Sequence, residues 1–232
     1  IKISNYVPHR IVWVARIDGV KRPLDLIPVM KLVTREISDA KLVIVGKGDE
    51  KLEAELRKLI KENHLEKNIE CAGFTMDVGR YYSEASLFVS TSSSEGYGLT
   101  FYEAQAYGLP IVCYEMPWLE VEESGAGVVS VTQENVVLMA QAIIDILKDS
   151  DKVKKLGAAG RKHIEEVSSI DIGEAWEGLF NGVYGDDSYF ERDLTVDELK
   201  YKMKILITNL TGYQQQAKYD IKNNRRTSKK KI

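Results

Sequence analysis

Along roughly the first 150 residues, short apolar runs alternate with stretches in which apolar positions recur every three to four. The runs are Ile11-Val12-Trp13-Val14, residues 41–45, residues 68–72, Leu87-Phe88-Val89, Ile111-Val112-Cys113 and residues 127–131. Most are apolar at successive positions and too short for helices, as expected of strands buried on both faces. The stretches between them predict helices at 50–63, 78–84, 99–107 and 134–149. A further helix opens at Arg22-Pro23, because proline suits a first helical position. Pro28 lies near its start, where one lost hydrogen bond is tolerable. The alternation predicts an α/β fold: a doubly wound, mainly parallel sheet of about six strands with helices on both faces.

Beyond residue 150 the pattern turns helical, with candidates at 151–168 and 170–184. Gly185-Asp186-Asp187-Ser188 reads as a linker, and Thr195-Val196-Asp197-Glu198 as a capping box opening a last helix through Leu199, Met203 and Leu206. The expected division is a ligand-binding domain at 1–184 and a linker with a helical, basic tail at 185–232. Doubly wound sheets bind ligands at the carboxyl ends of their strands. The polar and glycine-bearing segments at 15–21, 46–49, 73–77 and 90–98 each follow a strand, so they gather on that one edge.

Charge narrows the partners. The 232 residues carry a net charge of −3, which gives no overall attraction for nucleic acid. Arg225-Arg226-Thr227-Ser228-Lys229-Lys230-Lys231 reads first as a solvated end and second as a weak attraction to an anionic membrane surface. The two cysteines, Cys71 and Cys113, sit in runs expected to be buried strands, so they read as free thiols in a reducing cytoplasm. No apolar stretch approaches the roughly 20 residues that cross a bilayer. His9, His64 and His163 are scattered without ligand spacing, and no metal is expected. The chain opens on Ile1-Lys2-Ile3-Ser4, close to its first strand, which leads us to expect a piece of a longer protein without a signal peptide.

The chemistry concentrates in the string from Glu95-Gly96-Tyr97-Gly98-Leu99-Thr100 through Glu103 to Gly108-Leu109-Pro110. It reads as a strand end, a glycine turn and a helix start. Glycines let backbone amides approach a ligand, and the helix start adds free N–H groups and a positive dipole end. Glu95 and Glu103 would flank a bound ligand. Each part also has a plainer meaning: the glycines make a turn, Thr100 and Glu103 close a capping box, and Arg16 and Lys21 are solvated cations.

Taken whole, the string resembles the family 4 (group 1) glycosyltransferases of the GT-B fold, with their E-G-[FY]-G-L-x-x-x-E-A-x-A-x-G-x-P signature. Gln105 stands where many members carry Met. Ala15-Arg16 through Lys21 resembles the family's G-R-x-x-x-x-K element, with Ala15 for the usual Gly. Val45-Gly46-Lys47-Gly48 resembles its V-G-x-G loop, and Gly73-Phe74 followed by Tyr82-Ser83-Glu84-Ala85-Ser86 its G-x and Y-x-x-A-D pattern, with Ser86 for Asp. The resemblance spans residues 11–168 and implies a Rossmann-like C-terminal donor-binding domain.

It implies roles as well. Arg16 and Lys21 would grip the diphosphate of a nucleotide-sugar donor, and Glu95 would contact the transferred sugar. The amides of Gly96, Tyr97, Gly98, Leu99 and Thr100 would face diphosphate and sugar, and Glu103 would accept from the ribose hydroxyls. Gly46, Gly73 and Phe74 would border the base. The implied reaction is a retaining, metal-independent transfer without cofactor, at work in polysaccharide biosynthesis in the cytoplasm or at the inner face of the membrane. The acceptor, a glycan, a lipid-linked sugar or a protein, would bind an N-terminal domain absent from this chain. Alone, the chain would bind donor weakly, transfer little and self-associate through exposed apolar residues into a homodimer. A nucleotide-sugar epimerase, a glycogen-type synthase and a non-catalytic nucleotide-sugar-binding module are the alternatives.

Overall fold

The computed structural model describes residues 6–116, 119, 121, 125–169, 173, 176–178 and 180. The chain divides into two compact units, Ile1–Glu165 and Glu166–Ile232. In the first, the strands are β1 (Arg10–Val14), β2 (Lys41–Val45), β3 (Ile69–Gly73), β4 (Leu87–Ser90), β5 (Ile111–Tyr114) and β6 (Val128–Val131). The helices are α1 (Leu26–Glu36), α2 (Glu50–Glu62), α3 (Gly79–Glu84), α4 (Leu99–Ala106), α5 (Val136–Leu147) and α6 (Ser150–Ser168).

The six strands form one sheet in the order β3-β2-β1-β4-β5-β6, and every pairing is parallel. Strand order reverses between β1 and β4. The chain leaving β1 goes to one side and that leaving β4 to the other, the switch point at whose carboxyl ends sheets of this kind bind ligands. Alternate residues of the strands (Ile11, Trp13, Leu42, Ile44, Leu87, Val89, Val112, Tyr114) join one core with Leu26, Met30 and Val33 of α1 and Met139 and Ile143 of α5. The residues between them, Val12, Val43, Phe88 and Cys113, are buried too. Phe88 meets Phe101 of α4 edge-on at 5.7 Å and Tyr82 of α3 at 6.1 Å. Helices therefore cover both faces, and the continuous apolar runs have their physical reason.

Strand ends fall within a residue of expectation. Asn68, read as the start of β3, stands just before it and ties Ser38 and Ala40 with its side-chain amide (3.1 and 2.9 Å to their carbonyls). The helix expected at Arg22-Pro23 opens as a 3-10 turn, Pro23–Asp25, before α1, with Arg22 in the left-handed region (φ 50°). Pro28 is the third residue of α1, where its missing N–H had no helical partner. Cys113 is buried, whereas Cys71, expected to be buried, is half-exposed because β3 is an edge strand. The expected domain boundary, the linker, the capping box at Thr195 and the basic end lie outside the described residues. Of the helix expected at 170–184, five positions are described; Trp176 and Phe180 there are half-exposed and stack at 5.5 Å. Among the described residues no helix is long and apolar enough to cross a membrane.

Candidate functional site

The loop after β1 turns on Asp18, whose carboxylate accepts from the backbone amides of Val20 and Lys21, both at 3.0 Å. This Asx turn sends the Lys21 side chain toward the loop after β4, where Nζ meets Glu95 Oε1 at 2.6 Å. Ser92 Oγ donates to the same oxygen at 2.7 Å. The Lys21 and Glu95 side chains are only 16% and 12% exposed, so water screens the ion pair little. Hydroxyls lace the two loops together: Thr91 donates to the Lys21 carbonyl (2.7 Å) and accepts from the Trp13 indole (3.1 Å), and Ser93 donates to the Val20 carbonyl (3.1 Å). Ser90, Thr91, Ser92 and Ser93 are all buried. The small polar run expected at the carboxyl edge of the sheet is thus a hydrogen-bonded floor. Its only sequence signal is the buried strand directly before it.

Beyond Glu95, Gly98 holds φ 75° and serves as the N-cap of α4. That left-handed conformation favours glycine, and with no side chain to cap the helix the start of α4 keeps its positive end. The capping box read from Thr100 and Glu103 does not form, since the helix starts earlier and Thr100 lies inside it. Glu103 Oε2 instead accepts from the Tyr82 hydroxyl at 2.8 Å. Burial and then the Glu103 charge push the Tyr82 pKa up, so the phenol stays a donor. Tyr97 is 60% exposed and stacks on Tyr102 at 4.9 Å; Leu99 is exposed beside it.

On the other flank, Gly46 (φ 140°) lies so close to the β1 loop that a Cβ would run into the Ala15 carbonyl oxygen, and one on Gly48 into that of Ile17. Gly46 N–H donates to the Gly73 carbonyl at 2.8 Å, which joins the loops after β2 and β3. Phe74, 62% exposed, has Lys47 Nζ 5.4 Å above its ring.

Of the sequence-predicted residues, Lys21 and Glu95 are brought into contact, and Gly46 and Gly73 likewise. Arg16 is not: its side chain is 81% exposed and pairs with Asp18 at 3.2 Å. Sequence reading assigned no role to Tyr82, Asp18 or Ser92. It also passed over a cluster in which Arg22 bonds Asp25 (3.0 Å) and Glu134 (2.8 Å), with the Tyr114 hydroxyl on Asp25 (2.9 Å). Burial opposes the Arg22 charge, but the bonds to Glu134 and Asp25 outweigh it and raise its pKa. Among the described residues, no group of three or more His, Cys, Asp or Glu is placed to hold a metal ion.

The chain is similar to the poly(glycerol-phosphate) alpha-glucosyltransferase of Bacillus subtilis (strain 168), 29% identical over 75% of this chain and 26% of that protein. It is 30% identical to the poly(ribitol-phosphate) alpha-N-acetylglucosaminyltransferase of Staphylococcus aureus (strain COL), over 78% of this chain and 38% of that one. It therefore spans well under half of either relative. Among solved structures it superposes on TarM with a TM-score of 0.69 at 28% identity, covering 78% of this chain and 38% of TarM. It also superposes on an S. aureus TarM mutant in complex with Fondaparinux, alpha-GlcNAc-glycerol and UDP, with a TM-score of 0.67 at 27% identity and the same coverage. The family model described as "Glycosyl transferases group 1" matches residues 5–163, and the chain belongs to the group 1 glycosyltransferase family.

Proposed function

We propose that this chain is the donor-binding part of a retaining glycosyltransferase, which holds a nucleoside diphosphate sugar at the carboxyl edge of the sheet. The observation that carries this reading is the 2.6 Å contact of Lys21 with Glu95, at the head of the glycine turn that leads into the start of α4, a start with no side-chain cap. Family membership supplies the reaction class, and the UDP in the TarM complex makes uridine diphosphate the first nucleotide to test.

As the bond from the sugar to the diphosphate lengthens, the anomeric carbon becomes cation-like and the leaving group gathers negative charge. Lys21 and the first amides of α4 are fixed in advance where that charge develops; such donors are typically worth about 3 kcal/mol each. Glu95 neutralises Lys21 through their 2.6 Å contact. A diphosphate arriving at Nζ shares the lysine and leaves Glu95 beside the sugar. Arg16, with little packed around it, swings from Asp18 to add a second cation. Glu103 takes the ribose, and Gly46, Gly73 and Phe74 border the base. With positive charge supplied by side chains and a helix end, the proposed transfer uses neither metal nor cofactor.

Acceptor binding is assigned to a further domain of such a protein, since the matched stretch is a minority of each relative's length. A glycan or other surface polymer is the favoured acceptor class, in keeping with the relatives' names. Two free thiols suit the cytoplasm as the place of work.

Calorimetric titration of the chain with uridine, guanosine and adenosine diphosphates, with and without a chelator, tests the reading. Metal-independent binding of one of them is expected, strongest for uridine diphosphate and weakened in Glu103→Ala and Arg16→Ala. Wild-type affinity in both variants would move the site elsewhere.

A further inference from the structure

Tyr82 lies on α3, away from the glycine turn, and is 1% exposed. Its ring is wedged between Tyr107 (5.5 Å, 25° between planes) and Phe88 (6.1 Å). From this buried position its hydroxyl donates to Glu103 Oε2, on a residue whose own surface is exposed. Burial, then the Glu103 charge, raise the Tyr82 pKa, so the phenol keeps the proton that it donates to Glu103. Among the described residues, nothing donates to the other carboxylate oxygen, Oε1.

We infer that Tyr82 is a positioning residue that aims Glu103 at the ribose hydroxyls of the donor. The inference rests on the donor-binding reading above and adds to it how the carboxylate is held. A free surface glutamate samples many rotamers and loses up to about 2 kcal/mol of entropy when a ligand fixes it. Tyr82 settles that loss on folding: it occupies one oxygen, fixes the plane of the carboxylate and leaves the other oxygen for a ribose hydroxyl. A purely structural role would be different. The hydroxyl would then satisfy only itself, and its removal would lower stability without touching ribose recognition.

The test compares uridine diphosphate with its 2′-deoxy and 3′-deoxy analogues on the whole chain, in wild type, Tyr82→Phe, Glu103→Ala and the double variant. Tyr82→Phe keeps the ring stack, and thermal melting verifies its fold. Wild type is expected to prefer uridine diphosphate over at least one deoxy analogue by about tenfold, the usual scale for a lost bond to a charged partner. In Tyr82→Phe that ratio should fall to about twofold, and in the Glu103→Ala background the Phe substitution should change nothing further. An unchanged ratio in Tyr82→Phe overturns the inference, whatever happens to stability. A wild type that binds uridine diphosphate without discriminating the deoxy analogues overturns it too, through Glu103. A wild type that binds no nucleoside diphosphate overturns instead the donor-binding reading on which it stands.

Discussion

After β2 the chain turns through Gly46-Lys47-Gly48 pressed onto the loop after β1, with Ile17 N–H donating to the Lys47 carbonyl (3.2 Å) and Asp49 N–H to the Ile17 carbonyl (2.8 Å). No side-chain atom could enter between the two backbones at Gly46 or Gly48. After β4 the chain turns through Glu95-Gly96-Tyr97-Gly98 with open space around Gly96, held by Lys21 and Ser92 through side-chain bonds to Glu95. Both turns carry two glycines, but for different reasons. In the first, glycine is demanded by the protein's own packing. In the second, only Gly98 is demanded, by its left-handed backbone, and among the described residues nothing fills the room at Gly96, which on the proposed reading is left for the donor. Glycines that the fold itself requires thus stand apart from one that it does not, and substitution can test whether the latter admits a ligand.

The largest effect should come from Gly46→Ala. The new methyl meets a backbone carbonyl, which cannot rotate away, and the φ of 140° disfavours any Cβ. Overpacking and backbone strain together should remove about 3 kcal/mol or more. In thermal melts that is a fall of about 6–12 °C for a chain of this size. A variant that melts with wild type would show that the loops after β1 and β2 can part freely, and the distinction between the turns would be lost.

Lys21→Met comes next. It leaves the poorly exposed Glu95 carboxylate without its lysine, at a cost of about 2 kcal/mol, less than for a fully buried pair because the site keeps some solvent. Affinity for uridine diphosphate should fall about tenfold or more, because a charge-assisted contact to the leaving group is gone. Adding Glu95→Gln should restore most of the stability and none of the affinity. Recovery of both would make the ion pair structural and nothing else.

How much of this was legible in the sequence follows the same division. The strands were readable because burial on both faces leaves runs such as Ile11-Val12-Trp13-Val14 with no polar interruption. The glycine turn after β4 was readable because Gly96, Gly98 and the helix start are contiguous. The hydroxyl lacing of Thr91 and Ser93 to the carbonyls of Lys21 and Val20 was not, because its partners lie some 70 residues apart and serine carries the same letter in a loop as in a buried floor. The plainer meaning of Thr100 with Glu103, a capping box, fails for a related reason. A capping box is a local pattern, but the backbone turn at Gly98 had already set the helix start, and a partner on another helix, Tyr82, had claimed the carboxylate. Arg16 is a further limit: its place beside β1 was readable, its outward pairing with Asp18 was not.

The smallest effect on stability should belong to Gly96→Ala, and for that reason it sharpens the comparison most. Among the described residues a Cβ built there meets nothing within 4 Å, and the backbone is not in the left-handed region, so stability should stay within about 0.5 kcal/mol of wild type. If the open space belongs to the diphosphate, the methyl group occupies the approach to the turn's amides, and affinity for uridine diphosphate should drop several-fold while the melt is unchanged. Only an outside molecule needing that room accounts for lost binding with stability intact. Unchanged binding as well as unchanged stability would place the diphosphate away from Gly96, and the first amides of α4 would have to hold it without this part of the turn.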